Sequence, residues 1–145
     1  MHDSAEARWT LRCDGGSRGN PGPAAYGFVL LDPQGREAVA HGEFIGEATN
    51  NVAEYRALIA GLAAAAEKGV HALEVVMDSE LVIRQMMGVY RVKNAGLKPL
   101  YEQARRAAAK VERIHWSSVR RDFNARADGL VNEALDRVLG PESSR

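Results

Sequence analysis

Three strand-like segments joined by two short connections constrain the fold of this chain more than any other feature. Side chains alternate in character from Trp9 onward, and residues 24–31 and about 36–45 form two further extended segments. Residues 32–35 read Asp-Pro-Gln-Gly, with Pro second and Gly fourth, as type I turns prefer. Because connections this short join antiparallel neighbours, we predict that the first three strands form an antiparallel meander.

The rest of the chain alternates helical and extended patterns. Capping residues at 49–51 open a helix that runs to Gly69, and a nearly uninterrupted apolar run at 73–77 is typical of a central parallel strand. A short helix at 79–87, a longer one with apolar residues between 97 and 111, a strand at 114–119 and a helix from Asn124 to Gly140 follow. We therefore predict an α/β fold with a five-stranded mixed sheet. Strands 1–3 are antiparallel, strands 1, 4 and 5 are parallel, and helices cover both faces.

The composition favours one compact domain. The chain has 145 residues, of which 46% are hydrophobic, and we place the domain at residues 9–140 with a disordered leader at 1–8 and a tail at 141–145. No apolar run is long enough for a bilayer, and the start is polar. These features predict a cytoplasmic monomer without membrane association. Nineteen basic and nineteen acidic residues balance, so net charge indicates no particular partner.

The first strand ends in a carboxylate followed by a glycine-rich bend. Alternation places Leu11 and Cys13 on one face and Arg12 and Asp14 on the other. The lone cysteine has no disulfide partner and is expected in the core. Gly15 and the glycines after it allow a bulky polyanion to approach the backbone closely. Since a strand rather than a helix follows the bend, neither a dinucleotide-binding turn nor a phosphate-binding P-loop fits.

Four acidic residues are candidates for a common site. Asp14 and Asp78 end adjacent parallel strands in the predicted topology, while Glu54 and Asp128 lie near the starts of helices that pack close by. Taken alone, each is an ordinary surface or helix-start residue. Together they repel one another unless divalent cations neutralise them. Oxygen ligands without His or Cys select Mg²⁺ or Mn²⁺, and two such ions about 4 Å apart are a standard device for phosphodiester cleavage.

Four motifs in this order resemble type 1 ribonuclease H. They are DGGSRGNPGP at 14–23, TNNVAEY at 49–55, MDSELV at 77–82 and NARAD at 124–128, and the likeness spans about residues 10–139. The resemblance implies an endonuclease that cuts the RNA strand of RNA/DNA hybrids with two Mg²⁺ or Mn²⁺ ions, leaving 5′-phosphate and 3′-hydroxyl ends. It also implies that Asp14, Glu54, Asp78 and Asp128 are the metal-binding catalytic set.

The same resemblance implies a set of substrate contacts. Asn20, Asn50 and Asn51 match asparagines that meet the hybrid in its minor groove, where 2′-hydroxyls distinguish RNA from DNA. Thr49 matches a threonine that holds a phosphate of the DNA strand, and Gly15 is counted with the substrate-facing residues. The residues themselves leave a structural alternative open, because asparagines at these places also cap helices or shape turns.

The chain departs from the family pattern at three places. Glu80 stands where many members carry glutamine, so it lacks a donor and repels phosphate. No histidine occurs in residues 117–123, where many members have one, and Arg120 or Arg121 is the candidate to neutralise phosphate there, unless both are solvated loop charges. Residues 88–98 are short, hold three basic residues and no Trp, so the basic protrusion of well-studied relatives is expected to be missing.

Two alternative functions follow from the same motifs. A nuclease of this fold can act on double-stranded RNA or branched DNA. A hybrid-binding module can keep the scaffold without catalysis. The minor-groove asparagines favour the hybrid nuclease over the first alternative. Four intact acids favour it over the second, since an idle carboxylate cluster is destabilising.

Overall fold

The computed structural model describes residues 7–140 and contains one mixed sheet. Its strands are β1 (Trp9–Ser17), β2 (Gly22–Leu31), β3 (Glu37–Ala48), β4 (Ala72–Met77) and β5 (Arg113–Ser118), in the order β3-β2-β1-β4-β5. β1 and β3 are antiparallel to β2, while β4 is parallel to both β1 and β5. The predicted five-stranded topology is thus confirmed. The predicted tail and residues 1–6 of the predicted leader lie outside the described residues.

Side chains cap two of the four helices that the described residues form. They are α1 (Asn50–Glu67), α2 (Glu80–Met86), α3 (Lys98–Ala108) and α4 (Ala125–Leu139). The hydroxyls of Thr49 and Ser79 accept hydrogen bonds from backbone N–H groups at the starts of α1 and α2. A 3₁₀ turn at Arg121–Asn124, which the sequence pattern did not predict, leads into α4. Among residues 7–140, no helix is both long and apolar enough to span a bilayer.

Helices cover both faces of the sheet, as predicted. The larger core lies under α1, where Leu11 and Cys13 of β1 pack with Leu58 and Leu62. The smaller core lies under α4 and joins Ala25 of β2 to side chains of that helix. Because strand side chains alternate, Arg12 and Asp14 belong to the face opposite Leu11 and Cys13. The Arg12 Nη1 atom donates to the Phe123 carbonyl at 2.7 Å, which ties β1 to the turn before α4.

Two glycines let α4 lie directly on the sheet backbone; we call Gly27 and Gly42 the glycine seat. A Cβ atom at Gly27 would stand 2.8 Å from the Leu130 Cβ and 3.0 Å from the Ala127 carbonyl oxygen, and one at Gly42 would stand 2.6 Å from the Leu130 oxygen. Gly27 is also the cross-strand partner of Asp14. The glycine seat therefore brings the helix that carries Asp128 close to the strand that carries Asp14.

Another glycine, Gly129, lies within α4 and has no such neighbour. A Cβ atom there would meet nothing within 4 Å, and the residue is helical. We expect Gly129→Ala to raise the free energy of unfolding by about 1 kcal/mol, because glycine is that much less favourable than alanine inside a helix. Urea denaturation measures the change. A lower stability of the variant would contradict the open space described at this position.

Candidate active site

Asp14 and Asp78 lie side by side at the ends of neighbouring strands. Cys13 pairs with Met77 in the parallel ladder between β1 and β4, so Asp14 and Asp78 are the next residues along their strands. Asp14 is buried, with 2% of its surface exposed. A carboxylate in that position is shielded from water, and its interactions with charged groups are stronger than at the surface. The prediction that topology brings these two acids together is confirmed.

Gly15 brings the third acid to the same place. A Cβ atom on Gly15 would lie 2.3 Å from the Ala53 carbonyl carbon and 2.5 Å from the Glu54 nitrogen. The α1 backbone can therefore approach the end of β1 only because position 15 has no side chain. Gly15 also lines the cleft described below, so its packing role is additional to the predicted contact with substrate. Glu54 begins the second turn of α1, since the first turn contains no acidic residue.

Asn124 connects the acids to the last helix, and sequence reasoning missed this role. Its Nδ2 group donates to the Cys13 carbonyl at 2.8 Å and to the Asp78 Oδ1 atom at 3.2 Å. The side chain is buried and makes no capping bond to α4, although the sequence pattern indicated a helix cap. Asp128 follows one turn later, and its Oδ2 atom accepts from Asn132 at 3.3 Å. Asn124 therefore holds Asp78 against β1, immediately before the helix that carries Asp128.

The oxygen atoms of the four acidic residues are the candidate ligands of a divalent cation. The four predicted ligands offer only carboxylate oxygens, which suit Mg²⁺ or Mn²⁺, and their backbones meet at one edge of the sheet. Within residues 7–140, however, no three His, Cys, Asp or Glu side chains are oriented so that they would hold a metal ion. The oxygen-only donor chemistry and the positions of the four backbones nevertheless fit the ions.

An asparagine clasp, formed by Asn20, Asn50 and Ser17, joins the turn after β1 to the start of α1. The Asn50 Oδ1 atom accepts from the Ser17 backbone N–H at 2.8 Å and from its hydroxyl at 3.2 Å. The Asn50 backbone N–H donates to Asn20 Oδ1 at 3.0 Å. Thr49, not Asn50, caps the helix. Because both lone pairs of the Asn50 oxygen are engaged, its Nδ2 group is the part that can bind a ligand.

An open cleft of about 410 Å³ lies beside these residues. It is lined by predicted site residues and their neighbours: Gly15, Gly16, Ser17, Asn50, Asn51, Glu54, Ser79, Glu80, Leu81 and Arg121. The Arg84 Nε atom pairs with the Glu80 carboxylate at 2.7 Å, and both side chains are exposed. The cleft thus combines carboxylates, amides and one arginine at the end of β1.

Comparison with known proteins identifies the family. Residues 12–134 match the family described as reverse transcriptase-like. The structure of RNase H1 from Halobacterium salinarum superimposes with a TM-score of 0.86 at 44% identity, covering 90% of this chain and 99% of that one. The chain belongs to the ribonuclease H family. This membership confirms the resemblance drawn from the four motifs.

Two further relatives differ in how much of their length this chain matches. A bifunctional protein of Mycobacterium tuberculosis is 48% identical over 127 residues, which are 87% of this chain and 35% of that protein. The chain therefore spans about a third of the length of this relative. A compost-derived RNase H1, solved in complex with an RNA/DNA hybrid, is 43% identical with a TM-score of 0.84 and covers 90% of this chain and 99% of that one.

Of the two arginines that sequence reasoning left open in this chain, Arg121 lies at the cleft. Its Nε atom is 3.7 Å from the Asp78 Oδ2 atom, and its side chain is largely exposed. Arg120 pairs with Asp122 at 3.2 Å and lies over the Phe123 ring at 5.3 Å. The geometry therefore favours Arg121 over Arg120 as the basic group beside the acids.

The other titratable groups near the acids do not offer a nucleophile. Cys13 is buried in the larger core, as predicted, and burial, with a smaller contribution from the Asp14 charge, raises the pKa of its thiol. The thiol therefore stays protonated at neutral pH. His115 is exposed on β5, opposite Glu74 of β4, and histidine is absent from the described residues that line the cleft.

Proposed function

We propose that this ribonuclease H-family chain cuts the RNA strand of RNA/DNA hybrids and leaves 5′-phosphate and 3′-hydroxyl ends. The observation that carries the proposal is the meeting of the four acid-bearing segments with the asparagine clasp at one edge of the sheet. The hybrid-bound structure of the compost-derived relative supports the choice of substrate.

Asp14, Glu54, Asp78 and Asp128 are the proposed ligands of two Mg²⁺ or Mn²⁺ ions. When bound, such ions polarise the attacking water and stabilise the leaving oxygen of the phosphodiester. The chain itself fixes the ligand positions, because Asn124 holds Asp78 and Gly15 admits the backbone of Glu54. Arg121 offers a guanidinium group to a phosphate oxygen, which is favourable wherever negative charge develops.

Recognition of the hybrid is assigned to the amides and hydroxyls along the cleft. Asn20, Asn50 and Asn51 face the minor groove in the proposal, and Asn50 acts there as a donor because its oxygen is engaged by Ser17. Thr49 uses its hydroxyl oxygen to cap α1 and retains its O–H group as a donor for a phosphate of the DNA strand. Contacts of this kind carry little base information, so sequence preference is slight.

We further propose that the protein acts as a monomer in the cytoplasm. The buried free thiol of Cys13 suits a reducing compartment. Sedimentation of the purified protein tests the oligomeric state, and fractionation of cells that express a tagged chain tests the location.

A panel of labelled substrates tests the main proposal. Hybrid, duplex DNA, duplex RNA and branched DNA are each incubated with the protein and Mg²⁺ or Mn²⁺, with and without EDTA. We expect cleavage of the RNA strand of the hybrid that EDTA stops. Equal or faster cutting of duplex RNA or branched DNA indicates the alternative nuclease, while tight hybrid binding without cleavage indicates a non-catalytic module.

The buried amide of Asn124 gives a prediction for the same assay. Asn124→Ala removes the donors to Cys13 and Asp78, so Asp78 loses its orientation against β1. We expect turnover on the hybrid to fall roughly tenfold, in keeping with the loss of hydrogen bonds that orient a ligand. Single-turnover kinetics measures the change. A variant that is folded and cuts at the normal rate would show that Asp78 needs no such support.

The donor role of Asn50 is tested by Asn50→Asp. The carboxylate retains the acceptor for Ser17 but replaces the Nδ2 donor with negative charge. We expect hybrid binding, measured in an Asp14→Asn background, to weaken by roughly tenfold, since a neutral hydrogen bond contributes about 0.5–1.5 kcal/mol and the new negative charge repels the phosphates. Gln34→Glu makes the same chemical change in the distant β2–β3 turn and should leave binding unaltered. Equal affinities of the two variants would contradict a donor role.

A further inference from the structure

The turn between β1 and β2 is folded tightly and carries Asn20. The Arg18 backbone N–H donates to the Pro23 carbonyl at 2.9 Å. A Cβ atom on Gly22 would stand 2.2 Å from the Arg18 carbonyl oxygen, so the two arms of the turn are in backbone contact. A turn packed this closely moves as a rigid unit. Its position therefore depends on the contacts that it makes with neighbouring elements.

Two attachments hold this turn, one to each helix that carries an acid of the proposed site. The asparagine clasp joins it to the start of α1, near Glu54. On the other side, the Arg18 Nη2 atom lies 2.7 Å from the Asp136 Oδ1 atom of α4. Asp136 follows Asp128 by about two helical turns. The ion pair therefore links the turn that carries Asn20 to the helix that carries Asp128.

The stability of the fold alone does not explain why Arg18 and Asp136 form an ion pair. The Arg18 side chain is 8% exposed and that of Asp136 is 39% exposed, so the ion pair is buried on the arginine side only. The buried Nε and Nη1 atoms of Arg18 have no hydrogen-bond partner within the described part of the chain. Unsatisfied buried donors destabilise a fold. Apolar side chains of similar volume often replace a buried ion pair without loss of stability. Apolar side chains cannot form a charge-assisted hydrogen bond, which fixes both the direction and the distance between the two groups.

We propose that Arg18 and Asp136 are positioning residues for hybrid binding. Their ion pair sets the turn at 18–21, and through it the amides of the asparagine clasp, at a fixed distance from α4 and Asp128. Neither residue is assigned a contact with substrate or with the reacting phosphate. The inference rests on the proposed function, because it concerns how the substrate-facing amides are held relative to the acids.

The double variant Arg18→Met/Asp136→Leu tests the pair by removing both charges at once. We expect a thermal midpoint at or above that of the unaltered protein. We expect KM for the hybrid to rise about tenfold with kcat within about twofold, because misplaced amides lose binding that the ground state and the transition state share. Hydrogen exchange of the Asn50 amide, which donates to Asn20 in the intact clasp, should become faster. Glu133→Gln breaks an exposed pair with Arg137 on the same helix and should change none of these values.

Several outcomes would overturn the inference. If KM and the hydrogen exchange of the Asn50 amide are both unchanged, the ion pair has only a structural role. If kcat falls while KM stays constant, the ion pair does not act through hybrid binding. If the double variant fails to fold, Arg18→Lys retains the charge but loses the planar fork, and it should show the same rise in KM. If the unaltered protein does not cut hybrids, the proposed function fails, while faster exchange of the Asn50 amide in the variant still supports the link through the turn.

Discussion

Asp14→Asn is expected to abolish cleavage of the hybrid while the protein remains folded. Asp14 is buried at the end of β1 beside Asp78, and the amide removes a negative charge and one oxygen donor from the proposed cation site. Loss of one group that stabilises transition-state charge lowers the rate by about 10²–10³-fold. Single-turnover cleavage of a labelled hybrid measures the effect. The thermal midpoint without divalent cations should be equal or higher, because one source of repulsion is gone.

A matched control makes this result specific. Asp32→Asn is the same chemical change in the β2–β3 turn, where Asp32 accepts hydrogen bonds from the backbone of Gln34 and Arg36. These bonds, together with the Arg36 charge, lower the pKa of Asp32. Asp32 is not among the residues that line the cleft, so its substitution affects the turn and not the cleft. We expect the Asp32 variant to cut at the normal rate. Near-normal turnover of the Asp14 variant would exclude the proposed metal-binding role of this residue.

Gly15→Ala is expected to produce the largest loss of stability among the substitutions considered for this chain. The new methyl group would stand 2.3 Å from the Ala53 carbonyl carbon and 2.5 Å from the Glu54 nitrogen. Overpacking usually costs about 1–3 kcal/mol, and we expect about 3 kcal/mol or more here, because backbone atoms cannot rotate aside as a side chain can. Urea denaturation measures the loss.

The same substitution should also impair cleavage, because α1 must shift away from β1 and takes Glu54 with it. Gly129→Ala is the natural control, since it adds the same methyl group in open space. If Gly15→Ala and Gly129→Ala unfold at the same denaturant concentration, the close approach of α1 to β1 does not depend on Gly15. A stable Gly15 variant that has lost turnover would instead show that the helix shifts without unfolding.

The topology could be predicted from the sequence because its signals are local. The Asp-Pro-Gln-Gly turn defines the β2–β3 hairpin, and the apolar run that β4 contains marks a strand covered on both faces. The 3₁₀ turn at Arg121–Asn124 could not be predicted in this way. It is held in place by the Arg12 contact with Phe123, which joins residues 111 positions apart. Contacts of that range leave no periodic pattern in the sequence.

The four acids are proposed as ligands from their motifs, but the roles of their neighbours depend on tertiary contacts. Asn124 looks like a helix cap in sequence, yet its buried amide binds Cys13 and Asp78. Asn50 looks like a cap or a substrate contact, and the fold uses its oxygen to hold Ser17. Hydrogen-bond partners such as these depend on side-chain directions, which residue spacing does not determine.

The glycine seat shows that activity can depend on residues other than those proposed to bind the metal ions. Gly27 and Gly42 lie on strands that carry none of the four acids, yet any side chain there would push α4 and Asp128 outward from the sheet. A genetic selection for loss of activity would therefore recover substitutions at both positions. Inactive variants at Gly27 and Gly42 could not be distinguished from inactive variants of the four acids by activity alone. Purified variants would differ in folding.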